Sequence, residues 1–369
     1  MGDKIYLTGL NGIRAIAALS VVFSHINNRL DYYNLPKSEL LDLANFGVTI
    51  FFTLSGFLIT YLLLKEKEKT GAIDVKKFYI RRILRIWPLY FIYLLIVILL
   101  NGISTVQWPI LFYLLMLPNF RNSFAQVTNI AVGGKNLTYM VGHYWSLGVE
   151  EQFYAFWPWI VKNTQKLLQL LVLFPLVYIL LKIVLKLIEA PVGVLTFFHY
   201  TRFGCLAIGA LGAYLFFNNS SKLSKWFTNK WIEISGWLFL VVVAFNKFHL
   251  ASIIDHEIVS VVTLVIIINQ VNNPKRIVNL ENNVFDFLGK ISFGIYVYNP
   301  LVIYLMAFAI NPLQIENSLV KQLTIYATVI PAVLVISFLS YNYFEKIFLK
   351  LKYNYAVIPS SSSKTEFQN

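Results

Sequence analysis

The apolar positions of the chain gather into long runs separated by short polar stretches. Ten of these runs reach the length that a membrane-spanning helix needs, about 20 mainly apolar residues. They cover approximately residues 9–27, 43–64, 83–101, 144–161, 167–188, 199–217, 231–248, 253–271, 287–310 and 318–344. An eleventh stretch, Trp108 to Pro118, is about half that length and is bounded by prolines, which suits a re-entrant or interfacial segment. The pattern predicts an all-α, polytopic integral membrane protein. The longest polar connection, Asn101 to His143, is the natural place for a lid or substrate loop. The tail beyond Tyr355, with serines at 360–363, reads as disordered, so the expected organisation is a membrane domain over 1–348 and a tail over 349–369.

Composition narrows the class further. Hydrophobic residues make up 57% of the 369 positions and charged residues 13%. Ordinary soluble domains hold roughly 45–50% apolar and about 25% charged residues. A soluble enzyme and a disordered chain are both excluded. The net charge of +13 would suggest nucleic acid in a soluble protein, but no basic helix interleaved with stacking aromatics is present. The cations sort instead by membrane side. With ten spans and both termini cytoplasmic, twenty lysines and arginines fall inside and five outside. If 108–118 also spanned, the bias would vanish. The expected location is the inner (plasma) membrane, with Lys182 and Lys186 snorkelling near an outer helix end. No cleavable signal sequence is evident. The single cysteine, Cys205, excludes an internal disulfide and a cysteine-based metal site, and no metal is expected.

Ionisable groups inside spans cost a few kcal/mol on insertion scales and mark candidate sites. Arg14 and His25 lie eleven residues apart in the first run, which places them within ~20° on one helix face and ~16 Å apart along it. Independent snorkelling of two end residues is the plain alternative. The fourth run opens with His143, Tyr144, Trp145 and Ser146, followed by Glu150, Glu151 and Gln152. A His25–Glu150 pair at similar depth would orient the imidazole and raise its basicity, as a general base requires; a structural ion pair would look the same. Arg81, Arg82 and Arg85 open the third run, and Arg82 and Arg85 share a face. Paired guanidiniums grip phosphate, but they also serve as membrane-boundary anchors. Ser55-Gly56 reads as a close helix contact rather than a nucleophile, since no Gly-x-Ser-x-Gly elbow surrounds it. Arg202 is an outer charge in need of a partner. His199, His249 and His256 sit near helix ends and read as interfacial.

Four segments, in order, resemble the acyltransferase-3 family of integral membrane acyltransferases. They are Arg14 to His25 with its ten intervening residues, Phe51-Phe-Thr-Leu-Ser-Gly-Phe57, Arg81-Arg-Ile-Leu-Arg85, and the stretch from His143 through Trp145-Ser-Leu-Gly-Val-Glu-Glu-Gln-Phe-Tyr154. The resemblance implies transfer of an acyl group, commonly acetyl, from cytoplasmic acyl-CoA as co-substrate to a hydroxyl of a surface polysaccharide or other glycan. It implies His25 as the catalytic residue, Arg14 as its helix partner, Arg82 and Arg85 as acyl-CoA contacts, and Glu150 with Glu151 as the acidic pair. Two positions depart from the pattern. Asn299 stands where many relatives carry a histidine, and Ile347 stands where a proline is usual. Some relatives add a C-terminal esterase-like domain. This chain is expected to be the stand-alone form, acting alone or with a separate extracytoplasmic protein. The rival class is a transporter or flippase for a lipid-linked sugar or small metabolite, for which internal symmetry would be expected; none is found. A membrane scaffold with a dead site would not explain the retained intramembrane charges.

Overall fold

The computed structural model describes residues 5–36, 43–128, 131–218 and 225–358. Helix dominates, and no strand occurs among the described residues. In chain order the helices are α1 (Leu10–Asn27), α2 (Ala44–Thr70), α3 (Val75–Asn101), α4 (Ile110–Leu114), α5 (Pro118–Thr128), α6 (Lys135–Gly142), α7 (Trp145–Asn163), α8 (Leu167–Leu187), α9 (Val192–Tyr200), α10 (Phe203–Phe217), α11 (Lys230–Ala244), α12 (Asp255–Asn272), α13 (Asn283–Ile310), α14 (Ser318–Ser340) and α15 (Lys346–Tyr353). Each predicted run overlaps a helix, and the sixth is split between α9 and α10. Six segments are long and apolar enough to cross a membrane: Ala44–Thr70, Val75–Asn101, Leu167–Leu187, Val192–Phe217, Asn283–Leu313 and Ser318–Tyr353. The 108–118 stretch holds only α4 and the start of α5, so the structure contains no span there.

Helix α1 runs through the middle of the bundle against α2 and α13. Its alanines explain the position. Ala15, Ala17 and Ala18 are fully buried, and small side chains let neighbouring backbones come close. The same logic joins α2 to α10. A Cβ added at Gly56 would lie 1.9 Å from the Leu206 carbonyl oxygen, and one at Gly209 would lie 2.0 Å from that of Thr53. Only glycine fits at these crossings. At the periphery the pattern inverts. Leu176 and Leu180 of α8 are 58% and 59% exposed, and α14 presents Leu323 and Val335 outward in the same way. A continuous apolar surface of this kind suits lipid rather than water.

The two ends of the described chain lie on one side of the bundle, where Ile5 to Leu7 share a small cavity with Lys352 and Tyr353. A π-helical turn over Tyr341–Glu345 links α14 to α15, which then packs against α3. Such turns often mark functional places. Residues 359–369, which include the serines of the expected tail, lie outside the described residues; α15 runs across position 348. On the same side Asp74 caps α3 by accepting from the Lys77 amide at 2.9 Å, and this bond holds its carboxyl below the usual range. Lys182 does not snorkel. It donates to Glu257 at 2.6 Å and to the Ile253 carbonyl, because α12 places a buried carboxylate within its reach.

Candidate active site

Two cavities occupy opposite ends of α1. The first has an empty volume of about 1350 Å³, partly open to solvent. Arg14 contributes from α1, Ser55 and Glu66 from α2, Arg81, Arg82 and Arg85 from α3, Glu150 from α7 and Lys352 from α15. Its electrostatics are unbalanced. Arg81 is the one neutralised cation, bridging Glu66 at 3.1 Å and donating to the Tyr355 carbonyl at 2.9 Å. Among the described residues, Arg14 donates only to the Asn11 side chain, at 3.2 Å. Arg82 lies 5.1 Å above the Tyr154 ring. Among the described residues, Arg14, Arg82, Arg85 and Lys352 take part in no ion pair. Four cations converge there against one carboxylate, Glu150, that makes no ion pair with them, and this excess of positive charge suits a polyanion.

The expected His25–Glu150 pair does not form. Glu150 accepts from Ser55 at 2.9 Å and from Tyr154 at 3.2 Å, and it lines the first cavity. The reason is helical rise. Helix α7 begins at Trp145, so Glu150 sits ~7.5 Å further along it, away from the end that faces His25. Glu151 is likewise turned aside, accepting from the Trp87 indole N–H at 2.9 Å.

Asn299 is a partner of His25. The His25 Nδ1 lies 2.6 Å from Asn299 Oδ1. The amide itself is held in one orientation, because its Nδ2 donates to the carbonyls of Ile295 at 3.0 Å and Tyr296 at 2.7 Å. The sequence explains the second bond. Pro300 lies within α13 and has no N–H, so it cannot make the ordinary helical bond to the Tyr296 carbonyl. The preceding asparagine side chain caps that orphaned carbonyl instead. Carbonyls only accept, so the NH2 of Asn299 must face them and its oxygen must face His25. Nδ1 of His25 therefore carries the proton, and in the neutral ring the lone pair belongs to Nε2.

His25 lines the second cavity, about 1500 Å³ and also partly open, with Arg29, Lys135, His143, Trp145 and Tyr200. Aromatic faces beside polar side chains suit a sugar ring. Trp145 is held by three contacts: Arg202 lies 5.1 Å over its ring, Phe52 packs edge-on and Tyr200 lies 4.9 Å away. Arg202 meets its need for partners through oxygens. It donates to the Asn45 carbonyl at 2.8 Å, to the Asn45 side chain at 3.1 Å and to the His199 carbonyl at 3.0 Å. His256 bonds Thr49 and His249 bonds Asp255, so neither enters a cavity at His25.

The cavities share no lining residue. Trp145 faces the second and its neighbour Ser146 the first. The Tyr296 hydroxyl closes the gap between them, donating to the His143 carbonyl at 2.8 Å and accepting from Ser146 Oγ at 2.5 Å. The structure thus brings Arg14, Ser55, Arg81, Arg82, Arg85 and Glu150 to one cavity and His25 and Trp145 to the other, with Asn299 and Tyr296 between. Sequence reasoning missed Tyr296, His143 and Lys352 as site residues. Tyr296 and His143 stood in segments already singled out; Lys352 fell in the expected tail, where no signal distinguished it.

A family model described as an acyltransferase domain matches residues 7–342, and the chain belongs to that acyltransferase-3 family. A Staphylococcus aureus (strain COL) protein named "putative O-acetyltransferase" is 29% identical over 94% of this chain and 58% of its own length. The O-acetyltransferase OatA of Staphylococcus aureus (strain MRSA252) is 25% identical over 97% of this chain and 60% of its own. The peptidoglycan O-acetyltransferase OatA of Listeria monocytogenes is 30% identical over 46% of this chain and 28% of its own. The chain thus spans less than two thirds of the curated relatives it matches. No solved structure matches it.

Proposed function

We propose that this acyltransferase-3 family member is a multi-pass membrane O-acyltransferase that moves an acetyl group from acyl-CoA in the cytoplasm to a glycan hydroxyl on the far side. The observation that carries the reading is the pair of cavities at the two ends of α1, one rich in unpaired cations and the other holding His25. The orientation follows from the positive-inside rule. With ten spans, the arginine cavity and both termini face the cytoplasm, and His25 faces outward.

In this reading Arg82 and Arg85 clamp the phosphates of CoA, Lys352 adds a point charge, and Arg14 guides the pantetheine arm along α1. The acyl end reaches His25 once the Tyr296–Ser146 bond opens. Nε2 of His25 takes the proton of the acceptor hydroxyl as its oxygen attacks the thioester carbon. The carbon–sulfur bond then breaks, and the imidazolium returns the proton to the CoA thiolate. Asn299 keeps the ring in the productive tautomer throughout. The acceptor class follows the peptidoglycan named for the Listeria relative, and soluble peptidoglycan strands are the first acceptor to test.

The test uses the purified full chain in detergent with labelled acetyl-CoA and peptidoglycan strands. Labelled product without a sealed compartment supports the reading and excludes pure transport. General-base assistance is typically worth about 10²–10⁴-fold, so folded His25→Ala should lose at least that much. A His25→Ala protein with near-normal transfer would refute it.

A further inference from the structure

We propose that His143 is a second catalytic histidine, whose ring N–H hydrogen-bonds the acyl carbonyl oxygen as it becomes an oxyanion during transfer at His25. The inference rests on the acyl transfer proposed above and adds a residue to it.

His143 is 6% exposed, and neither ring nitrogen has a hydrogen-bond partner among the described residues. Buried polar groups are nearly always bonded, so an unpartnered pair on one ring calls for an explanation. The Met140 and Val297 backbones approach the ring, but neither makes a hydrogen bond to it. The ring is caged by Tyr144 at 4.9 Å, Tyr296 at 5.3 Å and Tyr93 at 5.9 Å between centroids. All three hydroxyls are directed to backbone carbonyls: Tyr144 to Tyr90, Tyr296 to His143 itself and Tyr93 to Met140. The cage fixes the imidazole in place without a hydrogen bond to either ring nitrogen.

What lies beside the ring is His25. The two centroids are 6.2 Å apart at an interplanar angle of 74°, and both residues line the outward cavity. That spacing lets one tetrahedral centre touch both rings, which is the geometry expected of a base and an oxyanion donor. The roles divide cleanly. His25 accepts the hydroxyl proton and later delivers it to the thiolate. The oxygen–carbon bond forms and the carbon–sulfur bond breaks. His143 keeps its proton and only strengthens its hydrogen bond as charge builds on the carbonyl oxygen. A rigid donor is effective because it needs no reorganisation at the moment of reaction.

The test compares wild type, His143→Phe, His143→Met and His143→Gln in the labelled acetyl-CoA assay with soluble peptidoglycan strands. Phenylalanine fills the aromatic cage without a donor; methionine is a second apolar replacement should the phenyl ring misfold the cage; glutamine restores an N–H. Removing one oxyanion donor typically lowers kcat by about 10²–10³-fold. The expected result is that loss for the apolar variants, with the KM for acetyl-CoA and the thermal midpoint unchanged, and partial recovery in His143→Gln. Apolar variants within about fivefold of wild type would overturn the proposal. So would a folded His143→Gln no faster than His143→Phe, which would assign the residue to packing. A wild-type protein inert toward every acceptor would instead sink the transferase reading itself.

Discussion

Replacing Asn299 by leucine tests the link between the fold and the chemistry. The change keeps the approximate volume and removes three hydrogen bonds: the 2.6 Å contact to His25 and the two donations to the Ile295 and Tyr296 carbonyls. Two separate losses follow. For stability, the Tyr296 carbonyl is left unsatisfied inside a helix whose Pro300 cannot serve it, a cost of about 1–3 kcal/mol. For catalysis, a hydrogen bond to the charged imidazolium is worth about 1.5–3 kcal/mol, against about 0.5–1.5 for the neutral ring. The difference, about 1–1.5 kcal/mol, is stabilisation present only once the proton has moved, and it corresponds to roughly 5–13-fold in rate. Releasing Nδ1 also lets the proton settle on Nε2, which removes part of the competent population. Together these predict a fall in kcat of about 10–10²-fold with the KM for acetyl-CoA unchanged. Asn299→Asp separates the two losses, because it keeps an acceptor for His25 but turns an oxygen toward the two carbonyls. It should therefore unfold more readily than Asn299→Leu yet retain more activity per folded molecule. The assay is initial-rate transfer in detergent, normalised to the folded fraction from thermal unfolding. Asn299→Leu with kcat within about threefold of wild type would refute the reasoning.

Arg82→Ala and Arg85→Ala should each weaken acyl-CoA binding by about 10–10²-fold, the worth of a charge-assisted bond, as read by titration calorimetry with CoA. Lysine at either position should restore less than half of the lost binding energy, because it cannot present two parallel donors. Gly56→Ala should destabilise the folded protein by at least about 1–3 kcal/mol in a denaturation assay, since the new methyl would meet the Leu206 carbonyl at 1.9 Å. Tyr296→Phe removes the hydroxyl that bonds Ser146 and the His143 carbonyl, and it should raise acceptor-independent release of CoA severalfold in a thiol-detection assay.

The helices were legible because the bilayer imposes a length on them, and each predicted run met a helix. Arg82 and Arg85 stood out in the sequence because guanidiniums three residues apart share a helix face, and Arg14 because an arginine in a span is costly enough to need a reason. The partner of His25 was not. Sequence spacing proposed Glu150 because a carboxylate is the commonest way to orient an imidazole, but one and a half turns of α7 carry Glu150 down to Ser55 and Tyr154. The signal that could have found the true partner is chemical rather than spatial. An asparagine directly before an intrahelical proline has a carbonyl to cap, and capping it fixes where the amide oxygen points. Lys352 was hidden for another reason: nothing in its neighbourhood announces that a π-helical turn sets α15 back against α3.

The structure also sorts the intramembrane charges, which sequence alone could only group together. One set is satisfied by the protein. Lys182 is paired with Glu257, Arg202 is saturated by carbonyls and a tryptophan face, and Arg81 is matched to Glu66. Removing one partner from such a set leaves a buried charge exposed to a low dielectric, so these residues tie helices together. The other set, Arg14, Arg82, Arg85 and Lys352, is held by three different helices around a cavity and makes no ion pair among the described residues. Like charges drawn together in this way repel one another, and a fold maintains that repulsion only where a ligand relieves it. A transporter for an uncharged metabolite has no use for such a field at one end of α1, whereas a protein that binds a phosphate-bearing ligand does. The imbalance of charge therefore argues against an uncharged cargo, and it is the histidine at the other end of the helix that a flippase for a phosphate-bearing lipid would leave without a use.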